Sequence, residues 1–264
     1  MSGHSQPAAA IELEGVVKRF GRQLVLNEVD LSVPRGAITV LLGPSGAGKT
    51  VTINHIVGLI DPTAGVVKVE GKDLATLSEG ELTQLRRGMS VAFQGALPFT
   101  CGLFFSLNVF ENVAFPLRER TNWPEERIEQ EALAHLAMVG LRERVLAMPD
   151  ELSSGERKRT ALARALALEA RIVIIDDFDS GIDGVRLALL CDLIKEVQAS
   201  TGATFLVTTH DMKAARQLAD FAAVIHQGRV VESGEADAVF GSDEPAARQL
   251  ITGALSGPVS LRDV

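Results

Sequence analysis

The stretch GPSGAGKT, Gly43–Thr50, leaves this chain few choices of fold. It follows the apolar run ITVLL and precedes a helical stretch, so the backbone passes from a buried strand through a glycine-rich turn into a helix. Glycines there let consecutive N–H groups turn toward one anion, and the helix adds the positive end of its dipole. Gly43, Pro44, Ser45, Gly46, Ala47, Gly48, Lys49 and Thr50 therefore read as a phosphate cradle. Lys49 is set to reach the terminal phosphates and Thr50 to ligate magnesium. A glycine-rich turn beside an incidental lysine is the plain alternative, and the strand–loop–helix setting counts against it.

A second apolar run ends in charge. In RIVIIDDFDSGID, Arg171–Asp183, the strand-like residues lead straight into Asp176 and Asp177. A buried parallel strand delivers acids to a sheet edge in this way. Beside a phosphate cradle, Asp176 would hold a metal-bound water and Asp177 would face the water that attacks the terminal phosphate. Taken alone, the pair also fits a helix cap or a solvated turn.

The remaining pattern is α/β. IELEGVVKRF and QLVLNEVDLSV alternate like half-buried strands, while GVVKVEG and MSVAFQ add two more strand candidates. PEERIEQEALAHLAMVGL reads as a helix with a proline and acids at its start and Gly140 at its end. SSGERKRTALARALALEA is a second helix. RIVIID and TFLVTTH, separated by a helical stretch from Gly184 to Ala199, predict a right-handed parallel crossover. FAAVIHQGRVVES reads as a hairpin turning at Gln227–Gly228.

The totals exclude several classes. With 264 residues, 46% of them hydrophobic, the chain has ample material for a core. Its net charge of −8 argues against a protein that coats nucleic acid. No apolar run approaches the ~18 residues that cross a bilayer, and MSGHSQPAAA lacks the features of a signal peptide. Cys101 and Cys191 match no metal or redox spacing and suit a reducing compartment.

After the cradle come Gln94 in VAFQ, LSSGE (Leu152–Glu156), the acid-ended strand, SGID with Asp183, and THD with His210. In that order and spacing they resemble the ATP-binding-cassette ATPases, over nearly the whole chain. The resemblance implies an α/β fold of the P-loop, RecA-like type. Its core is a mostly parallel sheet, with an N-terminal antiparallel β-subdomain and a helical arm. Residues 1–10 would be a flexible leader, 11–240 the ATPase domain with its arm at about 98–157, and 241–264 a C-terminal extension. It further implies ATP and Mg2+ as ligands, with Phe20 stacking on adenine, and Thr50, Gln94 and Asp176 at the metal. Asp177 and His210 would be catalytic. Ser153, Ser154, Gly155 and Glu156 would face the ATP held by a second subunit, so that nucleotide is sandwiched in a homo- or heterodimer. The arm would dock on an integral-membrane permease, which puts the chain on the cytoplasmic face of the inner membrane. The apolar stretch PFTCGLFFSLNVF is either a buried loop or a pocket for a permease helix.

Within that family, NVFENVAFPLRERT, GLRERVLAMPDELSSGERKRTALARALAL, DSGIDGVR and the tail SDEPAARQLITGALSGPVSLRDV resemble the ATPases of MCE-type lipid transporters. That likeness implies MCE-type substrate-binding proteins as further partners and a tail that grips the neighbouring ATPase. EPAARQLITG has helical spacing. The family pattern is departed from in three places: Asp177 stands where Glu is usual, LSSGE replaces Leu-Ser-Gly-Gly-Gln, and Phe178 replaces a proline. Aspartate is one methylene short, a retreat of roughly 1 Å that can cost about a hundredfold in rate. Slow hydrolysis, a shared dimer with a stronger ATPase, or a nucleotide-gated clamp all fit that change. Glu156 repels phosphate if it points inward and does not if it caps its helix.

Overall fold

The hairpin expected at the N-terminus is long. In the computed structural model, which describes residues 8–92, 102–179 and 181–259, strands β1 (Ala9–Phe20) and β2 (Gln23–Pro34) pair antiparallel, with Leu13 opposite Leu31 and Phe20 opposite Gln23. Along β1, Ile11, Leu13 and Val16 are buried while Glu14 is exposed, the half-buried alternation read from the sequence. Strand β3 (Ile38–Leu42) is buried at every residue and runs into the cradle and helix α1 (Lys49–Ile56). Strands β4 (Ala64–Val69) and β5 (Lys72–Asp73) complete an antiparallel sheet in the order β2-β1-β4-β5. Helix α2 (Glu79–Arg87) follows, and its Arg86 donates to the carbonyls of Val57 and Gly58 beyond the end of α1.

The described chain divides into two compact units, Arg87–Ala203 forming one and the residues before and after it the other. The inserted unit holds strands β6 (Met89–Ala92) and β7 (Ile172–Ile175), which are parallel with Ala92 beside Ile175. Between them lie helices α3 (Val109–Arg120), α4 (Glu125–Met138) and α5 (Ser154–Ala167), which pack on one another. Val113, Leu117, Ile128, Ala132, Leu136 and Leu162 fill their core. Helix α6 (Gly184–Thr201) ends the unit and buries Cys191.

The first unit resumes with β8 (Thr204–Thr209), α7 (Met212–Leu218), β9 (Phe221–His226) and β10 (Arg229–Glu235). Strand β3 lies between β8 and β9 and is parallel to both. Burial on both faces explains its unbroken apolar run. Gln227 and Gly228 both adopt positive φ, as a two-residue hairpin turn between β9 and β10 demands. Helices α8 (Ala236–Phe240) and α9 (Pro245–Thr252) close the chain. The helical spacing of EPAARQLITG thus corresponds to a real helix, capped by Glu244 accepting from the Ala247 amide at 2.7 Å. Among the described residues, no helix is long and apolar enough to cross a membrane.

Candidate functional site

In the first unit, β3 delivers the cradle as its sequence requires. Gly48 is the N-cap of α1 with φ 110°, a conformation that favours glycine. A Cβ on Gly43 would lie 2.4 Å from the Ile225 carbonyl oxygen, and one on Gly48 would lie 2.7 Å from Leu26 Cδ2. Only glycine fits either position. Lys49 curls back over the turn, its Nζ donating to the carbonyls of Gly43 at 2.6 Å and Pro44 at 2.9 Å. An ammonium held across a glycine loop at a helix start is a charge arrangement suited to a polyphosphate. Ala47 is buried, whereas Ser45, Gly46 and Thr50 are not. His210 lies exposed immediately after β8, and Asp211 beside it caps α7 by accepting from the Ala214 amide at 2.8 Å. Phe20, at the tip of the first hairpin, is 48% exposed, and Lys18 Nζ stands 5.1 Å from its ring centroid.

In the second unit, β7 carries Asp176 and Asp177 at its C-terminal end. Asp176 is buried, and its amide donates to the Ala92 carbonyl at 2.9 Å, extending the β6–β7 ladder by one residue. Asp177 has φ 53°, in the left-handed region that Asp tolerates better than most residues. A proline next in the chain would disfavour that region for the residue before it, and Phe178 imposes no such restriction. Phe178 is itself buried. Lys158, on α5, donates from Nζ to the Asp177 carbonyl at 2.9 Å and to its Oδ2 at 3.3 Å.

Helix α5 begins with a complete capping box. The Glu156 amide donates to Ser153 Oγ at 3.3 Å, and Glu156 Oε2 accepts from the Ser153 amide and hydroxyl, each at 2.8 Å. Arg144 Nε stands 3.4 Å from Glu156 Oε1. These bonds from Ser153 hold the Glu156 carboxyl below its ordinary pKa. The question left by the sequence is answered: Glu156 caps its helix. Gly155 is buried, and a Cβ there would come within 3.1 Å of the Gly181 carbonyl oxygen. Asp183 caps α6, accepting from the Arg186 amide at 3.1 Å.

Residues 26–180 match the ABC transporter family. That covers the cradle, the capped helix and both acids. The chain belongs to this family.

Its place in that family is that of the transporter's ATPase subunit, and its relatives are named as ATP-binding proteins. It is 38% identical over 261 residues to a probable ribonucleotide transport ATP-binding protein, mkl, of Mycobacterium leprae, covering 99% of this chain and 74% of that one. It is 36% identical over 255 residues to the intermembrane phospholipid transport system ATP-binding protein MlaF of Escherichia coli K12, covering 97% of this chain and 93% of that one. Among solved structures, a dimeric ATP-binding cassette in a post-hydrolysis state bound to ADP and Pi superposes with a TM-score of 0.78 at 29% identity, covering 86% of this chain and 98% of that one.

Within this ABC subunit, the cradle residues and His210 lie in the first unit, and Ser153–Glu156, Asp176, Asp177 and Asp183 lie in the second. Gln94, Cys101, Ser180 and both chain ends (1–7 and 260–264) fall outside the described residues. The hold of Lys158 on Asp177 was not read from the sequence. The two are 19 positions apart, and nothing in GERKR singles out its lysine.

Proposed function

We propose that this subunit hydrolyses ATP to drive an MCE-type lipid transporter, working as a dimer beneath integral-membrane permease subunits on the cytoplasmic face of the inner membrane. The observation that carries the lipid reading is the match to the phospholipid-transport ATPase MlaF, which spans 97% of this chain and 93% of that one. The cargo class is phospholipid, sterol or fatty acid, and MCE-type substrate-binding proteins complete the assembly. The mycobacterial relatives carry a ribonucleotide name, which makes nucleotides the competing cargo. Affinity capture of the tagged subunit from solubilised membranes, with mass spectrometry of proteins and lipids, tests this directly. Co-purification of a permease with an MCE-type protein and lipid is expected. A permease carrying ribonucleotide, with no MCE-type protein, contradicts it.

In this reading the amides and Lys49 of the cradle bind the ATP phosphates, and Phe20 stacks on adenine. Thr50, Asp176 and Gln94 would hold magnesium, which supplies positive charge to the β- and γ-phosphates. The fit of the first unit to phosphate rests on the Lys49 ammonium held across the loop and on Gly43 and Gly48, which let the loop pack directly on Ile225 and Leu26 where a Cβ would collide. Asp177 accepts the proton of the attacking water, and His210 contacts the terminal phosphate. Ser153, Ser154 and Gly155 face the nucleotide of the partner subunit, with Asp183 in the adjoining loop. Glu156 keeps its charge, but its carboxylate is turned back onto the Ser153 amide and hydroxyl with Arg144 beside it, which limits its repulsion of that nucleotide.

The short side chain of Asp177 also favours a second reading, in which ATP closes the dimer and hydrolysis is negligible. Turnover of Asp177→Glu separates the two. An attenuated ATPase gains rate by one to two orders of magnitude, as a recovered ~1 Å of reach implies. A clamp hydrolyses in neither form.

A further inference from the structure

Lys158 is bonded to Asp177 twice, and the two bonds have different consequences. The bond to the carbonyl fixes the main chain at φ 53°, a conformation with no regular element to hold it. The bond to Oδ2 fixes the side chain. Both partners are mostly shielded, with side chains 15% and 20% exposed, so the ion pair is not a solvent-averaged surface contact. The lysine is anchored on α5, the helix whose first turn is the Ser153–Glu156 capping box. A small cavity lined by Ala92, Lys158, Asp176, Asp177, Phe178 and Leu190 lies within the same unit.

We propose that Lys158 is a positioning residue for hydrolysis: it holds the short carboxylate of Asp177 at one place, and so offsets part of the reach lost with the missing methylene. This rests on the reading of Asp177 as the proton acceptor. A carboxylate that lost the bond to its Oδ2 would be held less closely in line with the attacking water. Misplacement on the scale of 1 Å costs about a hundredfold in rate. Lys158 does not touch the reacting atoms in this account; it acts through Asp177. Because the lysine sits on the helix that begins with the signature residues, movement of that helix would be felt directly by the acid.

The test is steady-state ATP turnover of the full chain as Lys158→Gln, Lys158→Arg and Asp177→Asn, and as Lys158→Gln combined with Asp177→Glu. Lys158→Gln is expected to lower kcat at least tenfold with KM for ATP unchanged. Lys158→Arg, which keeps the charge and the donors, should retain most of the activity. In the Asp177→Glu background the same Gln substitution should cost less than threefold, because the longer acid does not depend on the tether. If Asp177→Asn abolishes turnover while Lys158→Gln leaves kcat intact, the positioning role is wrong and the base assignment stands. An equal loss in both backgrounds, unrelieved by arginine, reduces Lys158 to a structural residue and overturns the proposal. If Asp177→Asn retains full turnover, the base assignment itself falls, and the role of Lys158 with it.

Discussion

Glu156 illustrates how one residue can look hostile to a site and be harmless. A charge replaces the amide usual in the signature, yet both of its duties are local: its amide donates to Ser153 Oγ and its carboxylate accepts from the Ser153 amide and hydroxyl. Its carboxyl is held below the ordinary value by those Ser153 bonds, so it binds a proton more readily in the unfolded chain than in the folded one. The sign follows from linkage: the contribution is fully present above the unfolded pKa of about 4.3 and is lost as pH falls through the depressed folded value. Denaturant titrations of wild type and Glu156→Ala should therefore differ by about 1 kcal/mol at pH 7, and the gap should narrow below about pH 4. A gap independent of pH would mean that the carboxylate is not what holds the cap.

Helix α3 shows what a sequence hides. Pro116 sits inside it and removes one N–H from the ladder, so no pattern-based reading gives a helix over Val109–Arg120. The start of the helix is secured from two sides: Asn108 caps it, and the buried Asn112 stitches the preceding segment to it. Asn112 accepts from the Phe104 amide at 2.8 Å and donates to the carbonyls of Phe104, Leu107 and Asn108. Asn112→Ala orphans buried backbone groups at about 1–3 kcal/mol apiece. A loss of at least about 2 kcal/mol in a denaturant titration is expected, with faster amide exchange around Phe104 and Leu107; an unchanged midpoint would show that water replaces the side chain without cost. By contrast, β3, the cradle and the acid-ended β7 were legible, because full burial on both sides and the need for glycine each leave a direct mark on residue type. The same holds for the Gln227–Gly228 turn. Lys158 left no such mark: its partner is set by tertiary packing of α5 against the end of β7, and the ion pair has no sequence periodicity.

At the scale of the whole molecule, the proposed function makes nucleotide the link between copies of the chain. ATPase subunits of this family work as dimers, and the solved relative with ADP and Pi is one. The net charge of −8 opposes association of like chains at low ionic strength, so the nucleotide-free subunit should be monomeric in dilute solution. With Asp177→Asn blocking hydrolysis, MgATP should shift sedimentation to a dimer, and removal of Mg2+ should reverse it. A dimer that forms equally well without nucleotide would detach association from the site. All of this depends on the phosphates lying in the turn that β3 delivers to α1, with Lys49 across it. The most direct measurement is equilibrium binding of MgATP to the wild-type chain and to Lys49→Ala. The account predicts that the alanine variant folds normally and loses affinity by at least tenfold; equal affinity in the two proteins would contradict it.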